Sequence, residues 1–101
     1  MSFTVIFSPK SYRKIRSFDS ELKERIQKAV QEISSDPWEK GTIKVKGDDD
    51  VRRKRVGDFR IIYRIDQARK EILVAFIARR NEERINFEIL IGQIYQIETQ
   101  R

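Results

Sequence analysis

The chain contains no cysteine and no histidine among its 101 residues. Without cysteine it forms neither disulfides nor thiolate metal sites, and it has no need of an oxidising compartment. Without histidine as well, a structural zinc site is effectively ruled out, and so are most nucleophile–histidine dyads. Long hydrophobic runs are missing too. The longest, Ile72 to Ala78, falls far short of the roughly 20 apolar residues of a membrane-spanning helix. The opening residues Met1-Ser2-Phe3-Thr4-Val5 show no charged segment followed by an apolar one, so no secretory leader is expected. No repeat, low-complexity tract or linker interrupts the chain. The expectation is a cytoplasmic protein with no membrane partner.

Charge is what the sequence has in quantity. Charged residues make up 38%, and 22 Lys and Arg against 16 Asp and Glu leave a net charge of +6. The sequence pI is about 9.8. That balance favours a polyanionic partner, either nucleic acid or an acidic protein segment. Apolar content of 39% is lean but enough for one modest core, so residues 1–101 are read as a single domain.

Along the chain, Phe3 to Phe7 alternates as a strand. Ser8-Pro9 marks a helix start, with Ser as N-cap and Pro in the first turn. The helix Lys10–Phe18 is expected to turn Tyr12, Ile15 and Phe18 inward. Asp19-Ser20 restarts a second helix, on which Leu22, Ile26, Ala29, Val30 and Ile33 form one stripe. Asp36-Pro37 ends it. Thr42 to Lys46 reads as a short strand, followed by a polar turn over Gly47-Asp48-Asp49-Asp50. Glu71 to Ala78 reads as a nearly continuous apolar strand near the sheet centre. Ile85, Ile89, Ile94 and Ile97 can support a C-terminal helix. The fold class is α+β: two helices packed on one face of a small, mostly antiparallel twisted sheet, with a possible last helix.

Between these elements lies the most informative segment, Val51 to Ile65. It reads as two strands joined by Gly57-Asp58, and a Gly-X turn suits a type II′ hairpin. That turn pairs Val56 with Phe59, Arg55 with Arg60 and Arg53 with Ile62. Paired residues share a face and neighbours alternate. One face therefore carries Val56, Phe59, Ile61, Tyr63 and Ile65, and suits a core. The other carries Arg53, Arg55, Arg60 and Arg64, broken by Ile62 and Val51. Guanidinium groups on a rigid strand surface repel one another unless an anion lies among them, and their donor fork suits phosphate oxygens. The alternative is a solvated outer face whose long side chains cover Ile62 and Val51.

The block Arg53-Lys54-Arg55-Val56-Gly57-Asp58-Phe59-Arg60-Ile61-Ile62-Tyr63 resembles the RelE/ParE superfamily of bacterial and archaeal toxin–antitoxin toxins. Lys44-Val45-Lys46-Gly47 ahead of it, and the apolar strand ending in Arg79-Arg80, support the resemblance, which spans roughly Phe3 to Arg80. In the RelE branch it implies a metal-free, cofactor-free mRNA endoribonuclease that works on the ribosome and is held inactive by an acidic antitoxin. The ribose 2′-OH attacks the adjacent phosphate, leaving a 2′,3′-cyclic phosphate and a 5′-OH. Such a reaction needs cations around the phosphate, a group to take the 2′-proton, and one to protonate the 5′-oxygen. By resemblance, Arg53, Arg55, Arg60 and Arg80 are the catalytic candidates, and Lys44, Lys46, Arg64 and Arg79 the RNA-binding ones.

Two departures stand out. The family commonly places a His or other polar residue before the arginine that follows the last strand, and a Tyr shortly after it. Here Arg79 occupies the first position, and 81–87 contains no Tyr. Arginine does not serve as a base under ordinary conditions, and Lys54 should point to the opposite face. Lys46, Glu82 and Glu83 are the remaining base candidates. Two other readings fit the same sequence: a ParE-like toxin that blocks DNA gyrase, and a catalytically inactive relative that only binds RNA or antitoxin.

Overall fold

In a computed structural model, which describes residues 2–45 and 50–79, the chain forms five strands and two helices. The order is β1 (Thr4–Phe7), α1 (Pro9–Arg16), α2 (Ser20–Ser35), β2 (Thr42–Lys44), β3 (Val51–Val56), β4 (Phe59–Asp66) and β5 (Glu71–Arg79). Strand order across the sheet is β1-β5-β4-β3-β2. Only β1 runs parallel to its neighbour, pairing Thr4–Phe7 with Glu71–Val74. The fold is the expected α+β arrangement. The expected C-terminal helix, Lys46 and Arg80 lie outside the described residues.

Local chemistry explains where the helices begin. Ser8 caps α1, its side chain accepting from the Ser11 backbone N–H at 3.1 Å, and Pro9 fills the first turn, where its missing N–H costs nothing. Asp19 caps α2 in the same manner through the Leu22 N–H at 2.9 Å. Ile26, Ala29 and Ile33 of α2 are buried against Val56, Phe59, Ile61, Tyr63 and Ile65 of the hairpin and Ile72, Val74 and Ile77 of β5. Each fully buried aliphatic side chain there contributes roughly 1.5–3 kcal/mol. Val45, Val51, Ile62, Leu73 and Ala75 form a smaller cluster on the other face.

One expectation about α1 is corrected. Tyr12 does not point inward; it is 55% exposed, and Ser11 is buried in its place. The inward row is Ser11, Ile15 and Phe18, spaced as one helical stripe. The cause is the anchoring of Ser8, whose backbone N–H donates to Val74 O at 3.0 Å and whose hydroxyl donates to Ala75 O at 2.7 Å. So close an approach to β5 admits a serine and rotates the larger tyrosine outward, where the Arg16 guanidinium covers its ring at 5.8 Å.

The Ala75 carbonyl is available because β5 carries a bulge. Pairing steps from Ile62↔Phe76 to Tyr63↔Val74, which leaves Ala75 as the extra residue. Beyond the bulge the facing of β5 is reversed relative to simple alternation. Ile77 joins the helix-side core and Arg79 lies over Phe59 on that same side, its guanidinium 5.3 Å from the ring.

The hairpin has the expected register at every pair: Val56↔Phe59, Arg55↔Arg60 and Arg53↔Ile62. Gly57 takes φ +59°, while Asp58 has no positive φ, as a type II′ turn requires. An added Cβ at Gly57 would also lie 2.9 Å from a guanidinium nitrogen of Arg25. Gly57→Ala should therefore destabilise the protein by about 1 kcal/mol, read as a melting temperature several degrees lower. An unchanged melting temperature would show that the turn relaxes to another type.

Candidate phosphate-binding face of the hairpin

The register places four arginines on the sheet face away from the helices. Arg55 and Arg60 are directly opposite each other; Arg53 is opposite Ile62, and Arg64 is opposite Val51. On one face, positions offset by two residues across strands are diagonal neighbours, within reach of long side chains. The order Arg55–Arg60–Arg53–Arg64 is thus a zigzag of adjacent positions. Arg53, Arg60 and Arg64 are half-buried and Arg55 is exposed. Beside Arg60 on β5 stands Ala78, and one terminal nitrogen of the Arg60 guanidinium is buried. Beside Arg53 on β2 stands Ile43, an exposed apolar residue at the edge of the same face.

The register brings Arg53, Arg55, Arg60 and Arg64 to this face, with the Arg55 side chain drawn toward the hairpin tip by its bond to Gly57 O. Two other candidates do not share it. Lys44 pairs with Arg52 and so belongs to the helix-side face of the edge strand β2. Arg79 is turned to the helix side by the bulge. Lys46 and Arg80 are not among the described residues.

Lys54 points to the helix side, as its position between Arg53 and Arg55 predicts. Its ammonium is hydrogen-bonded to Glu32 of α2 at 2.5 Å and to Glu39 of the following loop. Burial works to lower the Lys54 pKa, but hydrogen bonds and charge from the two carboxylates outweigh it and leave it raised. The hydrogen bond from Lys54, reinforced by its charge, holds the Glu32 carboxyl below its ordinary value. Lys54 is therefore a fixed cation tying α2 to the hairpin, and not a proton acceptor. Tyr63 is equally unavailable: burial pushes its phenol up to about 12, and its hydroxyl donates to Pro37 O at 2.6 Å. Tyr63→Phe should cost about 1–2 kcal/mol, because it leaves a buried carbonyl unsatisfied. Urea denaturation would measure this, and no loss would mean that water replaces the phenol.

Sequence reasoning did not single out Arg25 and Lys28, which lie beside the hairpin turn in the docked structure. Their i, i+3 spacing with Glu32 a further turn along placed them on one stripe of α2. Nothing in the sequence said which element that stripe would meet.

The architecture is a small α+β fold with a five-stranded sheet among the described residues. It superposes on the isolated RelE toxin of E. coli with a TM-score of 0.71 and 17% identity, over 92% of this chain and 99% of that one. On the archaeal RelE–RelB complex from Pyrococcus horikoshii the TM-score is 0.72 with 22% identity, over 84% of this chain and all of that one. On the YoeB/ParE toxin from Agrobacterium tumefaciens it is 0.66 with 17% identity, over 75% and 96%. At these identities the likeness is one of fold. Among curated proteins, none matches the chain by sequence. Residues 5–84 match the model for the ParE toxin of type II toxin–antitoxin systems, and the chain belongs to that family.

Proposed function

We propose that this toxin is an mRNA endoribonuclease that acts on ribosome-bound message in the cytoplasm, without metal or cofactor. The observation that carries this reading is the arginine zigzag on a rigid two-strand surface. In the reaction the 2′-oxygen attacks phosphorus and the bond to the 5′-oxygen breaks. Negative charge accumulates on the non-bridging oxygens between the two events. Arg60 and Arg53, diagonal neighbours, supply donors to those oxygens, and Arg64 holds the strand beside them. The 2′-proton passes to a base and the 5′-oxygen gains a proton. Among the described residues the arginine face offers neither group; Lys46, Glu82 and Glu83 are the chain's other candidates for these transfers. An acidic antitoxin segment that covers the basic face is the partner this reading requires, and related RelE toxins have been solved bound to RelB.

A ParE-like block of DNA gyrase is the second reading. The family match and the lack of a base on the described arginine face favour it, since a binding module needs no catalytic set. Induction of the toxin, with translation, message integrity and plasmid supercoiling followed in parallel, separates the two. Rapid message cleavage with intact supercoiling is the expected result. Loss of supercoiling with intact message would overturn it.

A further inference from the structure

A second cationic surface lies at the turn of the hairpin, toward α2. A cavity of about 340 Å³ there is lined by Arg25, Lys28, Glu32, Lys54, Arg55 and Gly57, among others. Lys54 is neutralised by Glu32 and Glu39. Among the described residues neither Arg25 nor Arg55 is ion-paired, while Lys28 lies near enough to Glu32 to help hold its carboxyl below its ordinary value. Two contacts draw guanidinium groups to the same turn. Arg55 Nε donates to Gly57 O at 3.2 Å, which curls its side chain from the arginine face toward the hairpin tip. The Arg25 guanidinium reaches the same turn, where one of its nitrogens would lie 2.9 Å from a Cβ placed on Gly57. Glycine at this position serves the turn through its positive φ, and the Arg25 guanidinium lies against it.

We infer that Arg25, Lys28 and Arg55 form a second phosphate-binding site, which holds the backbone of the RNA strand at a phosphate neighbouring the one that reacts. The inference rests on the nuclease reading above and extends it. Arg55 links the two surfaces. Its backbone pairs with Arg60, while its side chain belongs to the hairpin tip. The cations thus continue from Arg64, Arg53 and Arg60 on the outer face, through Arg55 at the hairpin tip, to Arg25 and Lys28 on the helix side. A succession of cations suits a polyanion with repeating charges better than a single acidic side chain. Arg55 is accordingly an anchoring residue, and the reacting phosphate is left to Arg53 and Arg60.

The test uses the full chain and a fluorescent 2′-O-methyl RNA oligonucleotide, which binds but has no free 2′-OH to attack. Affinity is followed by anisotropy over a salt series for the unmodified protein, for Arg25→Gln/Lys28→Gln and for Arg60→Gln. The double variant should bind about tenfold more weakly. Its slope of log K against log salt should be shallower by about 0.7–1.4, the change expected for one to two lost phosphate contacts on a single strand. Its melting temperature should be unchanged, because both side chains are exposed. On programmed ribosomes its kcat should be retained while KM rises. If the double variant binds as the unmodified protein does while Arg60→Gln binds more weakly, the second site falls and the nuclease reading stands. If the unmodified protein shows no salt-dependent RNA binding, both fall. If the substitutions weaken binding to gyrase and not to RNA, the site belongs to a protein partner and the inference is overturned.

Discussion

Arg60→Ala should slow cleavage of ribosome-bound mRNA by on the order of a hundredfold, the scale seen when one preorganised donor to a developing charge is removed. Arg60 stands opposite Arg55 and diagonal to Arg53, with Ala78 on its β5 side and one terminal guanidinium nitrogen buried. Ribosome affinity should fall far less, since one phosphate contact among many changes binding modestly. The split follows from chemistry: charge that appears mainly in the transition state rewards the donor only there. Arg60→Lys should lie between the two, keeping the charge and losing the planar fork. Single-turnover cleavage, with binding measured beside it, reads both quantities. A variant that loses affinity in proportion to rate would mark Arg60 as a binding contact, and unmodified protein that binds yet leaves the message intact would remove the nuclease reading.

Lys54→Met should destabilise the protein by about 2 kcal/mol, a fall in melting temperature on the order of 10 °C for a domain of this size. The substitution preserves length and apolar stem but leaves Glu32 and Glu39 facing each other without a cation. Removing one partner from a fully buried pair costs roughly 3–5 kcal/mol. Here the acid side chains are 43% and 26% exposed, so water moderates the cost. Adding Glu32→Gln and Glu39→Gln to Lys54→Met should restore most of the loss. The pH dependence has a definite sign. Glu32 is held below 4.5, so its contribution is full above that value and lost as pH falls through the folded-state pKa. Lys54 is held above 10.5, so its contribution is full below that value and lost as pH rises through the folded-state pKa. The gap between unmodified protein and Lys54→Met should therefore be widest between these limits and narrow on acidification. A gap independent of pH in urea titrations would mean that packing, and not charge, holds this corner.

The hairpin was legible because its determinants are local. A two-residue glycine turn sets the register, and register sets the facing of every side chain on both strands. The helix caps were legible for the same reason, each lying within three residues of the group it satisfies. What escaped depends on distant neighbours. Tyr12 was misplaced because the seating of α1 follows from Ser8 bonding to β5, far away in sequence. Simple alternation along β5 would have set Arg79 with the arginines, and the bulge at Ala75 leaves no mark in a run of apolar residues. Alternation within β2 assigns two faces without saying which is which, so the side of Lys44 waited on its pairing with Arg52. Arg25 and Lys28 belong to a helix face whose partner is decided by docking.

The parallel pairing of Thr4–Phe7 with Glu71–Val74 also governs when this protein can become a toxin. The first strand waits for the last described one before it acquires a neighbour, and the Ser8 to Ala75 hydrogen bond closes the same long loop. Such distant closures are slow to form. The β3–β4 hairpin can form early from local pairing, but the support that stiffens its arginine face depends on β5. A nascent chain therefore lacks a braced arginine face until synthesis has passed the fifth strand. That interval gives an antitoxin time to meet a toxin that is still incomplete.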